Sequence, residues 1–349
     1  MNSIQSQLFF LNRAPLKSEW GENIILIYDS FLDSTPYRQF IQKFPIRYKV
    51  TGGEQLKSID ALPGHLRKLS QLSSPLQSRD LTFVVLGGGS VGDFGAFVAS
   101  IFKRGVRLVM IPSTWLAAID SSHGGKTALN INGTKNQIGS FYPASEVYLF
   151  RDLLLDQPPR RVQEAFGEVV KMGLIAGGPL WKKISCLKNF DSKKLWLMLP
   201  QLIAEKYKIV KKDPFEKKGI RHVLNLGHSM GHVFEAALGQ AHGIAVLNGL
   251  ILSLWLSHRH GLLSTKDYQQ ILRSEAGLLF PANSEISKML KKCQDIRYWL
   301  AQDKKMSTQG ELRFVFLKKP GRPVVQKIKL EILLNDLGFF IQEFGKGQK

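Results

Sequence analysis

Two imidazoles and a carboxylate on neighbouring turns of a helix are enough to hold a divalent cation, and segment 225–235 offers that arrangement. His228, His232 and Glu235 fall at i, i+4 and i+7, a spacing that puts them on one helical face. His242-Gly243 follows, so three of the chain's eight histidines lie in the stretch 228–242. Upstream, Glu168 and Lys171 stand three apart on one face of another expected helix. Two histidines and one carboxylate with a position left open form the pattern of catalytic zinc. Spacing nominates His228 and His232 as the ligand pair, but does not decide which two histidines ligate.

A second constellation points to a dinucleotide. The apolar run 82–86 leads into Gly87, Gly88, Gly89, Ser90, Val91, Gly92 and Asp93, and a helical pattern opens at once. Gly87, Gly89 and Gly92 satisfy G-x-G-x-x-G after a strand and before a helix. There the missing side chains admit a pyrophosphate and the helix N-terminus supplies amide donors. No acidic residue stands about 20 positions downstream to hold the ribose. Asp29, at the end of an expected strand, and Glu54, in 52–57, are the candidates for that role.

A third segment, Asp120-Ser121-Ser122-His123-Gly124-Gly125-Lys126-Thr127, with Lys135-Asn136 after it, combines glycine, hydroxyl and lysine. Ammonium and amide donors can converge on an anion in such a loop. It is not a Walker A loop, because the first glycine of that motif is missing. Arg104, Lys171, Lys206, Arg221, Asn225 and Lys304-Lys305 are scattered cations and amides that gain meaning only if the fold gathers them.

The elements that must position these groups change character along the chain. Short β-rich runs at 24–28, 46–50, 82–86, 107–111 and 146–150 alternate with helical patterns, as βαβ units do around a parallel sheet. Beyond Pro158-Pro159, long amphipathic stretches dominate (161–175, 194–212, 229–238 and 246–256), with one late strand at 312–317. The expected fold is α/β: a Rossmann-like nucleotide-binding domain over 1–157, then a mainly α-helical metal- and substrate-binding domain over 158–349. At 349 residues with 44% hydrophobic content, the chain can bury two cores. No apolar run reaches the roughly 18 residues of a membrane span, and residues 1–20 do not have the order of a signal peptide. Two cysteines without metal-type spacing fit a reducing cytoplasm. The net charge of +20 favours acidic small molecules over nucleic acid as ligands, because the basic residues are spread along the chain.

Taken in order, the motifs Gly-Gly-Gly-x-x-Gly-Asp (87–93), Asp-Ser-Ser-x-Gly-Gly-Lys-Thr (120–127), Lys-Asn (135–136), Glu-Val-Val-Lys (168–171), Leu-Asn-x-Gly-His-x-x-Gly-His (224–232), His-Gly (242–243) and Asp-Lys-Lys (303–305) resemble the 3-dehydroquinate synthases of the sugar-phosphate cyclase family. The resemblance runs from about Gly52 to Lys305. It implies NAD, a divalent metal (zinc, or another such as Co2+), a homodimer, and a lyase reaction of the shikimate pathway. In that reaction 3-deoxy-D-arabino-heptulosonate 7-phosphate becomes 3-dehydroquinate and phosphate. It proceeds by transient oxidation at C5, phosphate elimination, re-reduction and aldol closure, within chorismate and aromatic amino-acid biosynthesis.

The resemblance also implies a ligand set, Glu168, His228 and His242, and leaves His232 beside the phosphate. It assigns Glu54, Lys57, Gly89 to Asp93, Ser113, Thr114, Lys126, Lys135, Asp156, Gln157, Pro158 and Pro159 to NAD. Arg104, Asp120, Lys126, Asn136, Lys171, Lys206, Arg221, Asn225, Lys304 and Lys305 fall to the substrate, with Asp120 also next to the cofactor. Ile244 stands where the family usually has glutamate, which predicts different support around His242. A cyclase for another heptulose or glucose phosphate and a metal-dependent alcohol dehydrogenase are the alternative readings.

Overall fold

The computed structural model describes residues 5–15, 20–76, 80–301 and 310–345. Six strands form one parallel sheet: β1 (Gln7–Leu11), β2 (Ile24–Asp29), β3 (Arg47–Val50), β4 (Thr82–Gly87), β5 (Arg107–Pro112) and, after a small hairpin of β6 (Leu129–Ile131) and β7 (Thr134–Ile138), β8 (Glu146–Phe150). Their order is β1-β8-β5-β4-β2-β3. The strands β2 and β4 are buried along almost their whole length, as expected of central strands covered on both faces. Edge strand β3 alternates exposed and buried residues instead.

The strand order explains where a ligand belongs. The chain leaves β2 outward to β3, returns to β4, and leaves β4 in the opposite direction to β5. The carboxyl ends of β2 and β4 therefore flank a topological switch point, where open α/β sheets bind ligands. Asp29 ends β2, and the glycine turn follows β4. Asn132 and Gly133, both at positive φ (50° and 73°), make the two-residue turn joining β6 to β7, the Asn-Gly signature of a tight hairpin.

The chain forms two compact units, Met1–Arg161 with Ser192–Phe215, and Val162–Asp191 with Glu216–Lys349. This differs from the single cut expected between 157 and 158, because the helix Ser192–Lys212 returns to the sheet-bearing unit. Its side chains show why. Trp196 packs edge-on against Phe10 of β1 at 6.1 Å between centroids. Lys206 Nζ reaches Asp120 Oδ1 at 2.6 Å, and Tyr207 meets His123 at 3.4 Å. The second unit has its own core, including Met230, Phe234, Trp255, Phe314, Phe316 and Phe340. There β9 (Glu311–Leu317) pairs antiparallel with β10 (Pro323–Lys329). Among the described residues no helix is long and apolar enough to cross a membrane.

His123 is 3% exposed, and its Nε2 lies 2.9 Å from the Ala118 carbonyl. Burial, then the nearby Lys206 ammonium, lowers its pKa from 6.5 to about 4. Unfolded, the ring takes up a proton near 6.5, but in the folded chain only near 4. Its contribution is thus complete above pH 6.5 and is lost as pH falls toward about 4, up to on the order of 3 kcal/mol. Urea unfolding at pH 7.5 and at 5 should show this loss, and His123→Leu should show a flatter pH profile. An equally steep profile in the variant would remove His123 as the cause.

Candidate functional site

In the helical unit three helices each deliver one donor: Glu168 from Pro159–Ala176, His228 from His228–Leu238 and His242 from His242–Arg259. Both histidines are the first residues of their helices. Gly227, in the left-handed region at φ 80°, turns the chain into the first, and Gly239 at φ 64° ends it just before the second opens. Close backbone approach brings the donors together. A Cβ on Gly167, next to Glu168, would lie 2.0 Å from the carbonyl oxygen of Gly243, next to His242.

Glu168 is fully buried. Its Oε1 lies 3.5 Å from His228 Nε2 and 3.3 Å from His242 Nε2, while its Oε2 is ion-paired with the buried Lys171 ammonium. The three ligand atoms lie within 4.8 Å of one another. A tetrahedral cation with bonds of about 2.1 Å needs donors about 3.4 Å apart, so the donor set fits a divalent metal. The other ring nitrogens are occupied: His228 Nδ1 by the Leu226 carbonyl at 3.3 Å, His242 Nδ1 by Glu235 Oε2 at 3.0 Å. Burial pushes the His242 pKa down, but hydrogen bonds to Glu168 and Glu235 outweigh it and raise the value from 6.5 to about 10.

This corrects the pairing suggested by spacing. His232 is exposed, its ring centroid lies 5.5 Å from that of His228, and the group of three does not include it. Arg221 is buried and Asn225 half-buried, on the tight turn Ile220–Asn225 just before His228. Lys304 and Lys305 lie outside the described residues.

The sheet-bearing unit places several of the other candidates at the carboxyl ends of its strands, whereas Arg104 lies on the turn Phe102–Arg104 ahead of β5. The turn Gly87–Gly89 opens the helix Gly89–Ile101, with Val91 buried beneath it. Asp29 accepts from the Gly52 amide at 3.3 Å, and a Cβ on Gly52 would lie 2.4 Å from its carboxylate. Ser90 Oγ accepts from the Gly53 amide at 2.9 Å. The buried Lys57 joins Asp93 at 2.7 Å and Asn136 at 2.5 Å. Glu54 is exposed and accepts from Asn130 Nδ2 at 2.8 Å. Asn130 was not singled out from the sequence, yet its side chain also receives the Asn136 amide at 2.8 Å.

Ser113 is buried, and its carbonyl accepts from Gln157 at 2.5 Å. The Thr114 methyl would lie 3.1 Å from a Cβ on Gly88. Asp156 accepts from the Tyr37 hydroxyl, and Pro158 and Pro159 are exposed. Asp120 is held by Lys206. Arg104, Lys126, Lys135 and Asn136 are exposed; of these, Asn136 is drawn in by Lys57. A glycine turn at a helix N-terminus and a switch point, with a carboxylate ending the neighbouring strand, fits a dinucleotide.

Two outcomes follow from this geometry. His228→Ala and His242→Ala should abolish stoichiometric zinc binding measured on the purified protein, whereas His232→Ala should retain it; loss of metal only in the last would reverse the ligand assignment. Gly89 has room for a methyl group within the protein, the nearest atom being Ser121 Oγ at 3.4 Å. Gly89→Ala should therefore fold normally, yet bind NAD about tenfold more weakly or worse, since an overpacked contact costs roughly 1–3 kcal/mol. Unchanged affinity in titration calorimetry would mean the dinucleotide does not approach this turn.

Residues 47–164 match the 3-dehydroquinate synthase N-terminal family and residues 165–306 the C-terminal family. The 3-dehydroquinate synthase of Leptospira interrogans serogroup Icterohaemorrhagiae serovar copenhageni (strain Fiocruz L1-130) is 35% identical over 334 residues, covering 92% of this chain and 89% of that one. Two solved structures share the fold. One is 2-deoxy-scyllo-inosose synthase complexed with carbaglucose-6-phosphate, NAD+ and Co2+ (TM-score 0.78, 23% identity, 96% of each chain). The other is 2-epi-5-epi-valiolone synthase from Streptomyces hygroscopicus subsp. jinggangensis 5008 with NAD+ and Zn2+ bound (TM-score 0.80, 18% identity, 98% of each chain). With both halves of its sequence matched in order and a relative this similar over nearly its whole length, the chain belongs to the 3-dehydroquinate synthase family.

Proposed function

We propose that the protein converts 3-deoxy-D-arabino-heptulosonate 7-phosphate into 3-dehydroquinate and inorganic phosphate, with NAD and a divalent metal, zinc or cobalt. The observation that carries this reading is the buried Glu168, shared between the Lys171 ammonium and the imidazoles of His228 and His242. Family membership supports it, as do the NAD and metal ions in the two cyclase structures of the same fold. A homodimer in the cytoplasm is part of the same reading.

Glu168, His228 and His242 would hold the metal. Asp29, Glu54, Lys57, the turn from Gly87 to Asp93, Ser113, Thr114, Asp120, Lys126, Lys135 and the segment from Asp156 to Pro159 would hold the dinucleotide. When bound, NAD supplies reversible oxidation at C5 and the cation polarises the hydroxyl being oxidised.

The chain's own residues position a flexible anion and keep it still while charge moves. Lys171 is buried and fixed by Glu168, which holds its ammonium in place to meet a substrate oxygen. Lys206 is held the same way by Asp120. The buried Arg221 offers a planar fork that matches a carboxylate, with Asn225 four residues on; Arg104, Lys126, Asn136, Lys304 and Lys305 complete the assignment. His232, exposed to solvent, can exchange a proton at the phosphate end.

A substrate carboxylate is what separates this reading from a cyclase acting on a glucose or heptulose phosphate, which offers Arg221 nothing to pair with. Purified protein with zinc, catalytic NAD and the heptulosonate phosphate should release phosphate with no net NADH. Glucose 6-phosphate and sedoheptulose 7-phosphate should release none. Steady accumulation of NADH would identify a dehydrogenase instead, and faster release from an uncarboxylated sugar would identify another cyclase.

A further inference from the structure

Ligating histidines are oriented through the ring nitrogen that does not bind the metal, and the two imidazoles here are treated unequally. His228 Nδ1 reaches a neutral backbone carbonyl, that of Leu226, at 3.3 Å. His242 Nδ1 reaches a carboxylate, Glu235 Oε2, at 3.0 Å. Glu235 is half-buried on the helix His228–Leu238, whose first residue is the other histidine. One helix therefore carries a ligand at its start and, about two turns later, the group that meets the second ligand. The short link through Gly239 and Ala241 returns the chain to that group.

We propose that Glu235 is a positioning residue for the metal: it orients His242 with Nε2 toward the cation and adds back negative charge that Lys171 draws from Glu168. This rests on the reading of Glu168, His228 and His242 as ligands. The charge argument comes from the ion pair. Glu168 is the only carboxylate of the donor set, and one of its oxygens is committed to a buried ammonium. A divalent cation placed there faces one formal negative charge and, close by, a positive one. A carboxylate on His242 Nδ1 offsets that excess and makes Nε2 a stronger donor.

It also fixes the tautomer. With Nδ1–H donated to Glu235, Nε2 is the ring nitrogen left to give its lone pair to a cation, and it is the one on the Glu168 side, 3.3 Å from Oε1. The sequence offers no acid at 244, where Ile244 follows His242-Gly243. Glu235 brings the carboxylate from the preceding helix instead.

The test is Zn2+ affinity of the full-length, metal-stripped protein, read by competition with a chromophoric chelator. Glu235→Ala should weaken binding about 10–100-fold. Glu235→Gln keeps an acceptor oxygen without the charge, so it should lose several-fold, less than the alanine variant. Absorption of the Co2+-loaded protein gives a second readout, since a changed donor at His242 shifts the visible bands whereas a purely structural role leaves them in place. Zn2+ affinity within about twofold of the parent in both variants, while His242→Ala fails to bind, would overturn the role of Glu235 and leave the metal centre intact. Parental binding in His228→Ala and His242→Ala would instead overturn the metal centre itself. If Glu235→Ala does not fold, the near-isosteric Glu235→Gln decides by the same criterion.

Discussion

A carboxylate with no access to water must be answered by positive charge or by donors, and Glu168 imposes that constraint on the helical unit. Lys171 answers one oxygen, and the imidazoles of His228 and His242 face the other. Neither histidine lies near Glu168 in sequence, so the requirement can be met only if three helices approach almost backbone to backbone. The missing side chain of Gly167 allows that against Gly243, and Gly249 allows it against Gly227, where a Cβ would lie 2.0 Å from the carbonyl. Potential donors and small residues are adjacent because the same contacts that let the helices close also bring Glu168, His228 and His242 within reach of one another.

The sheet-bearing unit solves a different problem with different means. Its strands deliver chain ends to a switch point, and loops rather than helix faces carry the polar groups. Those loops are tied to one another: Gly52 to Asp29, Gly53 to Ser90, and Lys57 to both Asp93 and Asn136. A glycine turn has few side chains of its own to brace it, and neighbouring segments reach it instead: the Gly53 amide donates to Ser90 and Lys57 pairs with Asp93.

How much of this is legible in the sequence depends on the range of the forces involved. The central strands announce themselves as apolar runs because both sheet faces are covered, and expectation and structure agree there to within a residue at each end. Strand β1 carries a short apolar run, Leu8 to Leu11, but at the sheet edge its side chains are exposed or half-buried and no alternation marks it as a strand. The return of the helix Ser192–Lys212 to the first unit is hidden, since its amphipathic pattern says that it packs and not on what. At the metal centre, helical periodicity correctly puts His228, His232 and Glu235 on one helix. It cannot see that the next helix begins at His242, whose ring displaces His232 from the donor set. The ordered resemblance implies Glu168, His228 and His242 together, and implies nothing about Glu235.

One feature recurs in both units and links the chain's charge to its chemistry. Lys57, Lys171 and Lys206 are all buried, and each touches a carboxylate: Asp93, Glu168 and Asp120. Each pairing fixes the ammonium in position before any anion arrives. Cations already in place are the preorganised charge that anionic groups such as phosphate and carboxylate favour. The net charge of +20 adds a long-range attraction for the same anions.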